Sequence, residues 1–215
     1  MRTISQVVEG VISESPFLSE AMAEGVANNA KIARRIKPEV EKRLLEEVSE
    51  AAIAMALHRF SQTLEKRSSG DQFLKQIGDI TVRSKLVEFV FLNSAELERV
   101  AEAMFRAAQK NPEAFVNFSR GLRETLLIVN GALEPALAQI LKKEKHVRRG
   151  NLSAITMRLP EQSLGVPGLY YPILKAIAWE GISFVEVMSV DTEFSIIFED
   201  KDVDRAFSVL KKITS

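Results

Sequence analysis

Residues 165–199 of this 215-residue chain decide how its fold is interpreted, and they read GVPGLYYPILKAIAWEGISFVEVMSVDTEFSIIFE. A loop with two glycines and one proline leads into an apolar segment of helical length, which a further glycine terminates. Strands are then predicted over residues 182–189 and 193–199. The second strand has apolar side chains with the period of two that is typical of a half-buried strand: Phe194, Ile196 and Phe198.

The sequence on either side extends this pattern. A strand is predicted over residues 152–159 and an amphipathic helix after Asp200, so residues 151–215 have the order strand, helix, strand, strand, helix. The same order is predicted over residues 79–146, which open with a β-branched and aromatic run at residues 80–92. Two segments of similar length with one element order indicate an internal repeat.

Residues 1–67 are predicted to be helical and to form a separate domain. Within them, Pro38 has no backbone N–H and disfavours helix at the residue before it, which predicts a break in the third helix. A polar, glycine-containing stretch at residues 66–71 predicts the domain boundary. The most basic stretch of the chain, residues 142–149, is predicted to be a solvated linker between the two repeats.

Two short motifs in the second repeat point to a known family. Val-Pro-Gly at residues 166–168 precedes the helix, and Glu-Gly-Ile at residues 180–182 precedes the second strand. These motifs resemble those of ACT domains in the regulatory regions of aspartokinases. The whole chain is similar to small prokaryotic ACT proteins that lack a kinase domain. The resemblance implies an α+β fold, in which a helical N-terminal domain precedes two ferredoxin-like βαββα ACT units.

The resemblance also implies a ligand and the residues that hold it. ACT units pair side by side, so a homo-oligomer is expected, with an amino acid or similar small ligand at the interface. The implied contacts come from the first loop and the second strand of the second unit: Val166, Pro167, Gly168, Leu169, Ser183, Phe184 and Val185. The first unit lacks the glycine loop at the corresponding place, which implies that it has no ligand site of this kind.

The residue types around Gly168 support a binding loop without reference to any family. A glycine between a strand and a helix lets the backbone approach a ligand closely, and the N–H groups at the start of the helix attract a carboxylate. The alternative is that Gly165 and Gly168 serve only to make a tight turn. The sequence leaves both interpretations open.

Composition and motifs exclude several classes of function. The chain has no Cys, which excludes disulfides, cysteine-based zinc sites and thiol catalysis. Neither of its two His has a carboxylate cluster at metal-ligand spacing, and no phosphate-binding glycine loop or nucleophile motif is present. We therefore expect no enzyme activity, no cofactor and no metal. Neither a signal peptide nor a membrane-spanning apolar run occurs, so we expect a cytoplasmic protein without a membrane partner.

The N-terminal helices support a second hypothesis, which is DNA binding. A helix over residues 29–36, a break and a helix from Ser49 would resemble a helix-turn-helix. Its basic edge would contact DNA phosphates through four side chains: Lys31, Arg34, Arg35 and Lys37. The region holds equally many acidic residues, and the formal net charge of the chain is zero. A helical interaction or dimerisation domain is therefore favoured over a DNA-binding domain.

Three functions are consistent with these features. The first, which is the principal prediction, is a non-catalytic regulatory protein that senses a small metabolite through a paired ACT module. The second is a transcriptional regulator whose N-terminal domain binds DNA under the control of that module. The third is an association scaffold whose ACT units bind no ligand.

Overall fold

The computed structural model describes residues 2–64, 71–95, 97–111, 113–143 and 145–215. The chain divides into two compact units, Met1–Ser68 and Ser69–Ser215, which we call the N-terminal unit and the C-terminal unit. The polar stretch predicted as the domain boundary, residues 66–71, lies outside the described residues except for its last member. None of the helices in the described ranges has the length and apolar character needed to cross a membrane.

The described part of the N-terminal unit is built from helices α1 (Ile4–Ser13), α2 (Pro16–Ala23), α3 (Asn29–Leu44) and α4 (Glu50–Thr63). Side-chain caps fix where three of these helices begin, because oxygens of Thr3, Asn28 and Ser49 accept hydrogen bonds from backbone N–H groups of the first turn. Each helix buries an apolar face, and these faces meet in one core whose completely buried members include Val8, Ala33, Val40 and Leu57.

The predicted break at Pro38 is wrong, because α3 continues through the proline. Ile32, Ile36 and Val40 recur every four residues on the buried face, so apolar contacts continue on both sides of it. A proline inside a helix costs about 3 kcal/mol. Burial of these side chains, at roughly 1.5–3 kcal/mol each, exceeds that cost. The short helix of residues 29–36 that the DNA-binding hypothesis required is therefore part of one longer helix.

The C-terminal unit contains helices and strands in the order α5 (Asp71–Leu74), β1 (Ile80–Leu92), α6 (Leu97–Gln109), β2 (Val116–Arg120), β3 (Glu124–Asn130), α7 (Glu134–Leu141), β4 (His146–Arg158), α8 (Tyr171–Trp179), β5 (Glu186–Val190), β6 (Glu193–Glu199) and α9 (Val203–Thr214). We call the segment from β1 to α7 the first half and the segment from β4 to α9 the second half. The strands form one antiparallel sheet in the order β2-β3-β1-β4-β6-β5. This mixed architecture is consistent with the ACT-like units that the sequence predicts.

The basic stretch at residues 142–149 is not a solvated linker, contrary to the prediction from its charge. β4 begins inside this stretch and pairs with the end of β1. Two of its arginines face acidic partners: Arg148 bonds the Glu134 carboxylate, with Nε 2.6 Å from Oε1, and Arg149 bonds Glu88. These ion pairs allow a charged segment to enter the sheet, and a charge count along the sequence does not reveal them.

The two long central strands, β1 and β4, each contribute to both halves. The start of β1 pairs with the end of β4, where Ile80 lies opposite Met157, and the end of β1 pairs with the start of β4, where Phe91 lies opposite His146. Ile80 packs against the core of the second half. The His146 ring lies 5.5 Å from the ring of Phe91, in the core of the first half. Each half is therefore bordered by a strand segment that the other half supplies.

A backbone irregularity occurs at the same position in both long strands. Lys85 in β1 and Asn151 in β4 are each the sixth residue of their strand, and their φ values are 61° and 56°. The pairing register between β1 and β4 shifts on both sides of Leu86. Such bulges bend a strand and increase its twist. They lie where each strand passes from one half to the other.

Side chains are buried on both faces of the sheet. On one face, strand residues pack with α6 and α7 in the first half and with α8 and α9 in the second half. On the opposite face, which we call the inner face, residues of both halves form a further core: Leu86, Ile128, Leu152, Ala154 and Ile197. Because this core draws on β1, β3, β4 and β6 together, the curled sheet joins the two halves through its inner face.

Candidate ligand-binding site

The predicted glycine loop lies between β4 and α8 and has an open backbone surface. Gly165 and Gly168 have φ values of 78° and 76°, in the left-handed region that favours glycine. Val166 is half-buried, Pro167 is exposed, and Leu169 is buried in the core of the second half, where it anchors the loop. A Cβ atom added to Gly168 would meet no atom of the described residues within 4 Å. The space beside this glycine is therefore free for a ligand.

Contacts with the β5-β6 hairpin fix both ends of this loop. The Tyr170 ring stacks on the Phe194 ring, with centroids 4.4 Å apart and planes at 15°. The Tyr170 hydroxyl lies 3.0 Å from the hydroxyl of Ser189. Before the loop, the N–H of Leu159 donates to the carbonyl of Thr192 at 2.8 Å. The loop is thus held by the sheet although its own backbone is exposed.

The start of α8 offers fewer hydrogen-bond donors than the sequence suggested. Pro172 has no N–H, and the N–H of Tyr171 donates to the Gly168 carbonyl at 3.0 Å. A positive charge lies one turn further along the helix, where the Lys175 ammonium is 5.5 Å from the centre of the Tyr171 ring. The same ammonium lies 5.2 Å from the centre of the Trp179 ring. A carboxylate at this loop would therefore find fewer free helix amides than the sequence suggested.

The second predicted part of the site is not on a strand, because β5 begins at Glu186 rather than at residue 182. The chain is still closing α8 at that point, since Gly181 has a φ of 65° and the N–H of Ile182 donates to the Ile177 carbonyl. Three of the predicted contact residues consequently lie in the connection from α8 to β5: Ser183, Phe184 and Val185.

Within one chain, the two predicted parts lie at opposite ends of β5. The glycine loop contacts the far end of the strand through Ser189, whereas Val185 immediately precedes its first residue and donates to the Ile197 carbonyl at 2.7 Å. Four residues of extended chain separate the two points, which is about 13 Å. Phe184 is 43% exposed, and Val185 packs against the inner face. The structure therefore does not bring the two parts around one small ligand.

A polar cluster that was not predicted from the sequence lies on the inner face. Residues directly opposite one another on neighbouring strands point to the same face of a sheet. Four residues are related in this way across β2, β3, β1 and β4, and we call them the polar row: Asn117, Ile128, Glu88 and Arg149. Glu88 is completely buried and accepts a hydrogen bond from the Arg149 guanidinium. The available sequence signal was a single acidic residue inside the apolar run of residues 86–92.

Glu186, the first residue of β5, is electrostatically coupled to this row. Burial, and secondarily the charge of Glu88, raises the pKa of the Glu186 carboxyl, while Arg149 opposes the shift. β5 is three strands from β1 in the sheet order.

The residues predicted to contact DNA all lie on α3: Lys31, Arg34, Arg35 and Lys37. Arg34 pairs with Glu50 on α4 at 3.4 Å, and Lys37 pairs with Glu41 one turn along α3 at 3.6 Å. The N-terminal unit thus neutralises part of its own basic edge. DNA contact by this edge remains a prediction, and the balance of charge argues against it.

We expect the full chain to show no affinity for duplex DNA that depends steeply on salt. Proteins that bind through phosphates lose orders of magnitude in affinity between about 50 and 200 mM salt. Fluorescence anisotropy with a labelled duplex at these two concentrations measures the effect. Strong binding at the lower concentration that disappears both at the higher one and in Arg35→Gln would contradict this expectation and support the transcriptional regulator.

The sequence matches no protein-family model, and no similar protein was found among curated proteins. Solved structures do resemble it. The regulatory subunit of aspartate kinase from Thermus thermophilus, in its ligand-free form, has a TM-score of 0.51 and 12% sequence identity. The match covers 65% of this chain and 98% of that subunit.

Two whole kinases show the same likeness. Aspartate kinase from Clostridium acetobutylicum has a TM-score of 0.53 at 9% identity, and that from Synechocystis has a TM-score of 0.52 at 11% identity. The matches cover 65% and 64% of this chain but only 35% and 27% of the two kinases. Over about two thirds of its length, this chain therefore shares the fold of the ACT-type regulatory regions of aspartate kinases.

Proposed function

We propose that this chain is a non-catalytic regulatory protein that senses a small metabolite, with amino acids as the favoured class, through two ferredoxin-like ACT units. The observation that carries this proposal is coverage: the match takes in 98% of a solved regulatory subunit but 35% and 27% of two whole kinases. The domains of the proposal are a helical domain at residues 1–67 and ACT units at residues 79–146 and 151–215. The location in the proposal is cytoplasmic, with which the lack of Cys is consistent.

The proposed ligand site is the glycine loop of the second half, residues 166–169. The open space beside Gly168 and the fixed ring of Tyr170 support this placement. The residues at the start of β5 lie at the other end of that strand, so the proposal takes them from an adjacent ACT unit in a homo-oligomer. β5 is an edge strand of the sheet and offers unpaired backbone groups for side-by-side association.

A thermal-shift screen of the full chain against the common amino acids tests the proposal. A ligand that binds only the native state stabilises it by about 2.7 kcal/mol at one hundred times its Kd. We expect at least one amino acid to raise the Tm in a concentration-dependent way. If none does so at millimolar concentration, the sensor proposal fails and the association scaffold is favoured.

We expect Gly168→Ala to abolish that ligand-induced shift. The added methyl group would occupy the open space beside the backbone, where the ligand is proposed to bind. The left-handed φ should also lower the unliganded stability by about 1 kcal/mol. Calorimetric titration of the ligand identified by the screen, together with urea unfolding of the free protein, separates the two effects.

Gly165→Ala is the matched control for this substitution. Gly165 lies in the same loop with almost the same φ, and an added Cβ there also meets no described atom within 4 Å. The two variants should therefore lose similar stability, while Gly165→Ala keeps ligand affinity. If both variants bind the ligand with wild-type affinity, the loop is only a turn and the ligand binds elsewhere.

A further inference from the structure

The outer end of the inner face in the first half is apolar and reaches solvent. Beyond the polar row, the next row across β2, β3, β1 and β4 contains Ser119, Leu126, Val90 and Val147. Leu92 follows on the same face, because side chains alternate along a strand and Val90 is two residues earlier. Leu92 is 70% exposed and Val147 is 55% exposed, while Val90 and Leu126 are half-buried. We call these four residues the apolar patch: Val90, Leu92, Leu126 and Val147.

The second half has polar residues at all four corresponding positions. Counted from the first residue of each strand, the equivalents of the apolar patch are Thr156, Arg158, Ser195 and Thr81. The hydroxyls of Thr156 and Ser195 lie 2.7 Å apart and satisfy each other. The two halves share one element order and one strand pairing, so the fold of a half does not require apolar residues at these positions.

Charged side chains of opposite sign flank Leu92. Glu124 lies directly opposite Leu92 on β3 and is exposed. Lys145 is exposed on the other side of Leu92, because it immediately precedes β4, whose first residue pairs with the residue before Leu92. Lys145 is two residues before Val147, which places it on the inner face as well. The adjoining row carries no charge, and the polar row beyond it carries one ion pair. The outer end of the face thus has one negative and one positive charge on opposite sides of an apolar centre.

We infer that the apolar patch is a face-to-face contact between two copies of this chain. A two-fold axis parallel to β1, running between the two faces, places the β3 side of one copy over the β4 side of the other. Leu92 then meets its own copy, and Leu126 lies over Val147 of the second chain. Glu124 lies over the second chain's Lys145, and the reverse contact occurs on the other side of the axis. Both the apolar residues and the charges are therefore complementary to themselves.

The charges also exclude the alternative two-fold arrangement. An axis across the strands would place Glu124 over Glu124 and Lys145 over Lys145, and like charges brought together across an interface oppose association. Four apolar side chains make a small contact, so we expect a dissociation constant on the order of micromolar. The patch is separate from the edge strand β5 and from the glycine loop, so this dimer does not depend on the ligand of the proposed function.

Sedimentation equilibrium of the full-length chain, at concentrations from about 1 to 200 µM, measures this association. We expect Leu92→Glu to halve the molar mass of the assembly at the highest concentration, because it places two carboxylates at the centre of an apolar contact. Phe105→Glu is the matched control, since Phe105 is an exposed apolar residue on α6 of the same half. It should leave the molar mass unchanged, and circular dichroism verifies that both variants are folded.

Exchange of the two charges tests the orientation of the dimer. Glu124→Lys and Lys145→Glu should each weaken association by about tenfold, because each substitution creates two like-charge contacts per dimer. The double variant restores opposite charges and should regain the affinity of the wild type, which an association through β5 alone would not produce. Both residues are exposed, so these variants decide the question if Leu92→Glu does not fold.

Three results would overturn the inference. The first is a wild-type chain that remains monomeric at about 200 µM, well above the expected dissociation constant. The second is an unchanged molar mass in a folded Leu92→Glu variant. The third is a double charge-exchange variant that associates no more tightly than the single ones.

Discussion

Phe194→Ala is expected to lower the free energy of unfolding of the C-terminal unit by about 3–5 kcal/mol. Phe194 is 1% exposed in the core of the second half, and its ring stacks on Tyr170. The substitution leaves a cavity where an aromatic ring was buried and removes a favourable aromatic pair. Urea unfolding measures the change, and the single tryptophan, Trp179, makes fluorescence specific to this unit.

Phe105→Ala provides the matched control for Phe194→Ala. Phe105 is 57% exposed on α6, so the same change of residue should alter stability by only about 0.5 kcal/mol or less. Phe194→Leu should fall between the two, because it retains much of the buried volume. If Phe194→Ala costs no more than Phe105→Ala, then Phe194 does not hold the core and loop together as described.

Arg149→Met is expected to destabilise the C-terminal unit by about 2–3 kcal/mol. Removing one partner of a buried ion pair leaves the other charge without compensation, which costs about 3–5 kcal/mol when both partners are buried. Glu88 is completely buried but Arg149 is half-exposed, so solvent screening reduces the expected loss. Urea unfolding at neutral pH checks the value. Glu88→Leu should cost much less, because it removes the buried charge itself.

The neighbouring ion pair gives an internal control for this expectation. Arg148 pairs with Glu134 at a position where both side chains are partly exposed, so Arg148→Met should cost less than about 1 kcal/mol. The Arg148 guanidinium lowers the pKa of Glu134. The stability from this pair is therefore present above the usual pKa of Glu and is lost as the pH falls through the lowered value. Equal losses of stability in Arg148→Met and Arg149→Met would contradict the expectation that the buried charge of Glu88 makes the loss of its partner more costly.

Local patterns in the sequence predicted the elements whose causes are local. The apolar run at residues 80–92 forms β1 with those bounds, and the glycine loop lies between a strand and a helix as expected. The break predicted at Pro38 was wrong because tertiary packing of the helix outweighs the local cost of a proline inside it. The start of β5 was misplaced because residues 182–185 are β-branched, aromatic or small but still belong to the exit from α8.

The parts that could not be predicted depend on long-range register. Arg149 and Glu88 are far apart in sequence and meet only because β4 pairs antiparallel with β1. Asn117 belongs to the same row because β2 pairs with β3 and β3 pairs with β1. No spacing rule within one element encodes such a row, so the basic stretch at residues 142–149 was interpreted from its charge alone. The candidate loop, by contrast, is contiguous in sequence and could be identified.

The reciprocal pairing of β1 and β4 has a consequence for how the C-terminal unit unfolds. A fragment ending after α7 would lose the strand segment that covers its own central strand, and its exposed edge would favour aggregation. The two halves should therefore melt in a single cooperative transition and not as independent modules. A ligand bound at either half would then stabilise both halves. The reciprocal pairing of β1 and β4 would thus couple the two halves energetically without a hinge.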